Sequence, residues 1–200
     1  IIFNYNDTVT FSRAQKDIIW DLDKLPLPAW HLLPNKRYWE IGRPHGGHFK
    51  DDEELKYASM MTSLGCPFTC TFCHIASELK GSFSGEIGRF RIKSDERVIQ
   101  ELEILKDMGV KQIFVEDDSL LGKKKRALRL IKKMIGMNFD ILDVNGVNII
   151  HLLNNGKPDI EVIEALMEAG FKDIVLPFES ANERMISKYA SNKWDITNSD

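Results

Sequence analysis

Three cysteines, Cys66, Cys70 and Cys73, fall in one stretch, GCPFTCTFCHIA (65–76), and the rest of the sequence holds none. Thiolates serve as ligands for soft metals and iron–sulfur clusters, or pair as disulfides. A disulfide framework favours even numbers spread along a secreted chain, and a Cys70–Cys73 bridge would leave Cys66 unexplained. The count therefore points to a reduced, cytoplasmic compartment. Structural zinc takes four ligands, usually as two separated pairs, and a second pair is missing. His74 stands directly beside Cys73, and adjacent side chains rarely converge on one tetrahedral ion. A cubane has four irons, each usually bound by one thiolate. Three cysteines would leave one iron open, and an open metal position is where a small molecule can be held and activated.

The run Cys66-x-x-x-Cys70-x-x-Cys73, with aromatic Phe72 before the last cysteine, resembles the signature of the radical S-adenosylmethionine (radical SAM) enzymes. Its spacing differs from the ferredoxin run, where two residues separate neighbouring ligands. The resemblance implies a [4Fe-4S] cluster on Cys66, Cys70 and Cys73, with the amino and carboxylate groups of S-adenosylmethionine on the open iron and Phe72 against the adenine. It also implies the reaction. A reduced cluster passes an electron to the sulfonium, the carbon–sulfur bond breaks homolytically, and a 5′-deoxyadenosyl radical takes a hydrogen atom from substrate. In such enzymes the cofactors carry the hard chemistry, while the protein orients them and excludes water.

The elements that must position these residues read as a βα alternation. YASMMTSLG (57–65) is an apolar run leading into the cysteine loop. A helix follows over 95–108, with Ser94 as N-cap, acids in its first turn, Val98, Leu102 and Leu105 on one face, and Gly109 at its end. VKQIFVEDD (110–118) is a second strand. A helix over 126–134 turns Leu130, Ile131 and Met134 inward, and FDILDVNG (139–146) is a third strand. Pro158 opens a further helix in which Ile163, Leu166 and Met167 pack and which Gly170 closes. FKDIVLPFES (171–180) is a fourth strand. This order implies right-handed crossovers and a parallel sheet. The expected fold class is α/β: a partial (β/α) barrel of the radical SAM type, with about four of the family's six βα units present.

Ligands in such sheets bind beyond the carboxyl ends of the strands. There the sequence places the cysteine loop, Glu116-Asp117-Asp118, Asn145-Gly146 and Glu179-Ser180. Each also has a local reading. Asp118 or Ser119 could cap the second helix, Ser180-x-x-Glu183 matches a capping box, and Asn145-Gly146 is turn-like. The resemblance favours Asp117, Asp118, Glu179 and Ser180 as S-adenosylmethionine contacts, and Asn145 joins them by its place at a strand end. Many relatives carry two glycines and a glutamate where this chain has VEDDS, so the acid that meets the amino group is left open. A carboxylate suits an ammonium in a partly dry site. Pro177 cannot donate to a ladder, so the fourth strand must end or lie unpaired there.

Composition bounds the rest. The 200 residues are 43% hydrophobic and 28% charged, and the net charge of −3 gives no basic field for nucleic acid. No apolar run has membrane-spanning length. IIFNYNDTVTF at the start reads as a hairpin or a chain exit. DLDKLPLPAWHLLP (21–34) reads as a semi-rigid arm laid on a surface, with Trp20, Trp30 and Trp39 as anchors. This stretch and CPFTCTFC resemble the cobalamin-binding branch of the family. Residues 1–56 are thus expected to be a connector after an absent cobalamin-binding domain. Residues 57–200 are expected to be the radical SAM core, cut short at its C-terminal end. The implied partners are a small-molecule, lipid or natural-product substrate and an electron donor such as flavodoxin or ferredoxin. The implied outcome is cobalamin-dependent methylation or rearrangement at a carbon centre. KKKRALRLIKK (123–133) could contact tRNA, as in the methylthiotransferase branch, but its alternation reads first as the solvated face of an outer helix. GRPHGGH (42–48) lacks the strand-before, helix-after context of a phosphate loop and reads as a flexible loop. A zinc-stabilised module and an iron–sulfur electron carrier remain the readings from other classes.

Overall fold

The computed structural model describes residues 2–5, 8–11, 18–41, 56–79, 81, 85–190 and 193. Strands β1 (Ile2–Tyr5) and β2 (Thr8–Phe11) form an antiparallel hairpin, as the N-terminal pattern suggests. The arm follows, and then α1 (Asn35–Ile41). The GRPHGGH loop lies outside the described residues. Next come β3 (Tyr57–Met60), β4 (Ser63–Leu64), α2 (His74–Ser77) and β5 (Arg91–Ile92). The crossover units are α3 (Asp95–Asp107), β6 (Gln112–Val115), α4 (Lys124–Met134) and β7 (Asp140–Asp143). The short pair β8 (Leu153–Asn154) and β9 (Lys157–Pro158) precedes α5 (Ile160–Ala169), β10 (Phe171–Ile174) and α6 (Glu183–Tyr189).

One four-stranded sheet, in the order β10-β7-β6-β3, organises the chain, and all its pairings are parallel. The register puts Met60, Val115, Asp143 and Ile174 in one row at the carboxyl ends. All four strands therefore release their following loops along the same edge. Helices α3, α4 and α5 cover one face, where Val98, Leu102, Leu105, Ile113, Leu130, Ile131, Ile141 and Leu166 form the dry core. Burial at these positions is the main drive for the fold.

The strands are shorter than their apolar runs. The first run splits: β3 stays in the parallel sheet, while β4 pairs antiparallel with β5. The split occurs because the Thr62 amide donates to the Asp117 carboxylate at 2.6 Å instead of to a ladder carbonyl. β10 stops before Pro177, as a residue lacking an N–H requires. Ser94 caps α3 as expected, its hydroxyl oxygen accepting from the Arg97 amide. Pro158 does not open α5; Asp159 caps it, accepting from the Val162 amide. The phase of α5 also differs from the expected one. Val162, Ala165, Leu166 and Ala169 face inward, Ile163 is half-buried and Met167 is exposed. Two alanines at this spacing let the helix approach the sheet closely, which a phase centred on Met167 would not.

The arm docks on α3. The Arg97 guanidinium donates to the carbonyls of Asp23, Leu25 and Pro26, and the Ser94 amide donates to Asp23. Trp30 is buried in the core and Trp39 packs against it, donating to the Tyr57 carbonyl. Trp20 is instead exposed, under the Arg89 guanidinium at 5.7 Å. The basic run on α4 is largely consumed by neighbouring helices: Lys124 pairs with Asp159, Arg129 with Asp95, Lys132 with Glu161 and Lys133 with Glu96. Among the described residues no helix is long and apolar enough to cross a membrane.

Candidate functional site

The loop after β3 carries the three thiols, all free. Backbone bonds pin it from several sides. The Cys66 amide donates to the Gly88 carbonyl at 3.1 Å, the Cys73 amide to Cys70 at 3.0 Å, and the Thr71 amide to Tyr189 at 3.0 Å. Gly65 enters the loop with φ +75°, and a Cβ there would meet the Arg89 carbonyl oxygen at 2.3 Å. Only glycine fits both demands.

A cavity of about 200 Å³ opens at the carboxyl edge of the sheet, and all three cysteines line it. Phe72, Asp118, Asn145 and Glu179 line it with them. Ser180 faces an adjoining apolar cavity of about 460 Å³, which shares Phe72 and Glu179 and is otherwise walled by α6. Asn145 donates to the Glu116 carbonyl at 2.8 Å, which holds its side chain at the mouth. Neither Asp118 nor Ser119 caps α4, whose N-cap position is Lys123 without a side-chain bond. Asp118 accepts from the Gly65 amide at 3.0 Å. Ser180 does not cap α6 either; Asn182 does, and Ser180 accepts from the Asn182 amide.

Asp117 departs from the expected cofactor contact. It is fully buried below the cavity, and both its oxygens are taken: Oδ1 by the Thr62 amide, Oδ2 by the Thr62 and Ser63 hydroxyls at 2.7 and 2.6 Å. Buried and so bonded, it does not line the cavity where an ammonium would enter. His74 opens α2 and is exposed, outside the cavity lining.

Three lining residues were not singled out from sequence: Phe68, Asn148 and Lys193. Lys193 pairs with Glu179 and is 8% exposed. Its carbonyl accepts from Asn148 at 2.8 Å. Nothing local marks Lys193, which reaches the site only through tertiary folding.

Electrostatics suit thiols awaiting a metal. Burial pushes the Cys66 thiol up to about 11, with Cys70, Cys73 and Asp118 adding to the effect. Burial also raises Cys70, against the opposing Lys193 charge. Such thiols stay protonated until a metal displaces the proton. The donor set fits a [4Fe-4S] cluster with one unligated iron: three soft sulfurs share one cavity with no fourth cysteine in the chain. Among the described residues no three His, Cys, Asp or Glu side chains are gathered around one metal ion. A cubane needs its thiolates spread, each on its own iron.

The sequence pattern of the radical SAM superfamily matches residues 60–197. An uncharacterized methyltransferase of Pyrococcus horikoshii is 32% identical over 177 residues, covering 88% of this chain and 33% of the relative. Cytidylyl-2-hydroxyethylphosphonate methyltransferase of Streptomyces wedmorensis is 23% identical, covering 84% of this chain and 29% of that enzyme. The chain thus spans about a third of the length of the curated relatives it matches. Among solved structures, the radical S-adenosylmethionine methyltransferase TsrM of Kitasatospora setae, with tryptophan substrate and a SAM analog bound, superposes with a TM-score of 0.55. That match has 16% identity and covers 80% of this chain and 26% of TsrM.

Proposed function

Because the chain belongs to the radical SAM superfamily, we propose that it is the catalytic portion of a cobalamin-dependent radical SAM methyltransferase acting at a carbon centre. The observation that carries this is the cavity at the strand ends that is lined by three free cysteines and by the acids following two further strands. When bound there, a [4Fe-4S] cluster supplies the electron that cleaves S-adenosylmethionine into methionine and a 5′-deoxyadenosyl radical.

The chain's own residues then have distinct tasks. Cys66, Cys70 and Cys73 hold the metal cluster. Asp118 offers a carboxylate to the ammonium of the methionyl group, and Lys193 offers a cation to its carboxylate. Phe72 presents an exposed ring for adenine at the junction of the two cavities. Asn145, Glu179 and Ser180 supply polar atoms for the ribose and methionyl parts. No side chain needs to move a proton for the bond cleavage.

Methyl transfer is supported by the names of the relatives, and cobalamin by the arm's likeness to the connector of that branch. On this reading residues 1–56 are the connector, residues 57–200 the radical SAM core, and cobalamin is held elsewhere in the protein. The substrate is a small molecule, lipid or natural product, and the electron donor a flavodoxin or ferredoxin in the cytoplasm.

Anaerobic iron–sulfur reconstitution of the full-length protein, with EPR of the reduced form, tests the reading. The expected result is a four-iron signal that changes on adding S-adenosylmethionine and is lost in Cys70→Ala. A protein that assembles no cluster, or whose signal ignores S-adenosylmethionine, refutes it.

A further inference from the structure

The two acids that follow β6 are adjacent in sequence but face different partners. Asp117 is fully buried, and its three hydrogen bonds all go to Thr62 and Ser63, at the root of the cysteine loop. Arg126 of α4 closes the same group from the other side. Its Nη1 donates to the Thr62 hydroxyl at 3.1 Å, and its Nη2 to the carbonyls of Thr62 and Lys93 at 3.3 and 2.6 Å. The Thr62 hydroxyl thus donates to a carboxylate and accepts from a guanidinium, both buried. Asp118 spends only Oδ2, on the Gly65 amide. Its Oδ1 takes no hydrogen bond among the described residues, and the residue lines the cavity.

We propose that Asp117, Arg126 and Thr62 form a positioning latch that sets the root of the cysteine loop, leaving Asp118 as the acid that meets the cofactor. The inference rests on the radical SAM reading of the cavity and goes further by dividing the two acids. Thr62 stands four residues before Cys66, so its placement fixes where the first thiol enters the cavity. A charge-assisted pair of bonds on a buried hydroxyl holds one geometry, because either partner left alone would be a buried, unpaired charge. Small displacements at such a root become large losses at the reacting centre.

The test uses the reconstituted full-length enzyme and two readouts besides activity. These are the half-life of the cluster against a chelator, followed by visible absorbance, and the S-adenosylmethionine affinity of the cluster-loaded fraction, followed by EPR. Asp117→Asn and Thr62→Val should shorten the half-life about tenfold or more while changing affinity less than about twofold. Thr62→Ser, which restores the hydroxyl, should retain the wild-type half-life. Asp118→Asn should keep the half-life and weaken affinity about tenfold. If Asp117→Asn does not fold, the Thr62 pair decides. Equal half-lives for Thr62→Val and Thr62→Ser would overturn the latch, as would an Asp117→Asn enzyme that keeps its cluster and loses S-adenosylmethionine. A wild-type protein without any cluster would instead sink the radical SAM reading itself.

Discussion

The imidazole of His151 stacks on the ring of Phe68, with centroids 5.5 Å apart and planes inclined by 30°. His151 sits in the turn Ile149–Leu152 beyond β7, and Phe68 lies between Cys66 and Cys70. The stack therefore ties one strand-end loop to the cysteine loop. Burial, and then the Lys124 charge, push His151 down to about 4, so the ring is neutral at pH 7.

That depression has a pH signature. The unfolded chain takes up a proton near the ordinary imidazole value of 6.5, and the folded chain only near 4. The contribution is complete above pH 6.5 and is lost as pH falls toward 4. Its full size is about 3 kcal/mol, taking each pKa unit as about 1.4 kcal/mol. His151→Phe keeps an aromatic ring and removes the titration. Thermal midpoints across this window should fall more steeply for wild type than for His151→Phe. Parallel curves would show that the ring does not titrate as argued.

Asp143 works in the opposite direction. It ends β7 at 2% exposure, and neither carboxyl oxygen has a hydrogen bond; the amides of Val175 and Gly146 face it without closing one. Burial first, then the charges of Asp117 and Asp173, raise it to about 7. Between 3.8 and 7 the unfolded chain loses the proton and the folded chain keeps it. Stability is therefore lost as pH rises through 7, by up to about 4 kcal/mol. Asp143→Asn should melt higher than wild type at pH 8, and the gap should close toward pH 4. A variant less stable than wild type at pH 8 would contradict this.

How far the sequence carries the reader depends on the range of the interaction. The α3 cap at Ser94, the helix at 124–134 and the parallel order follow from local patterns, because capping and periodicity are properties of neighbouring residues. The three cysteines were legible for the same reason. Asp117 was not separable from Asp118, since the choice depends on Thr62 and Arg126, which fold onto it from other elements. The capping alternatives weighed for Ser180 and Asp118 do not occur: each motif is present, but a neighbour or a tertiary partner takes the bond. Lys193 carried no signal at all.

Arg97 gives a prediction about the arm. Its guanidinium spans three carbonyls of 23–26 and pairs with buried Glu101 at 2.6 Å. Lysine has a point charge and cannot form that fork, though Glu101 would keep Lys93 at 2.6 Å. Arg97→Lys should cost about 2–4 kcal/mol and expose 21–34 to limited proteolysis. An arm as protected as in wild type would show that Trp30 and Leu22 hold it unaided.

Gly65 separates backbone strain from steric exclusion at the cysteine loop. Its φ of +75° is costly for any other residue, and a Cβ would meet the Gly88 and Arg89 carbonyl oxygens at 2.4 and 2.3 Å. Gly136 has φ +84° with nothing within 4 Å, so alanine there bears the strain without the collision. Each substitution costs about 1–2 kcal/mol for the left-handed backbone. Only Gly65→Ala must also push the turn at 88–89, whose Gly88 carbonyl accepts from the Cys66 amide, away from the cysteine loop. Gly136→Ala should therefore melt lower but still take up its cluster, while Gly65→Ala should fail to retain iron after anaerobic reconstitution. If iron analysis finds both variants equally loaded, the close approach of 88–89 to the loop is not what shapes the site.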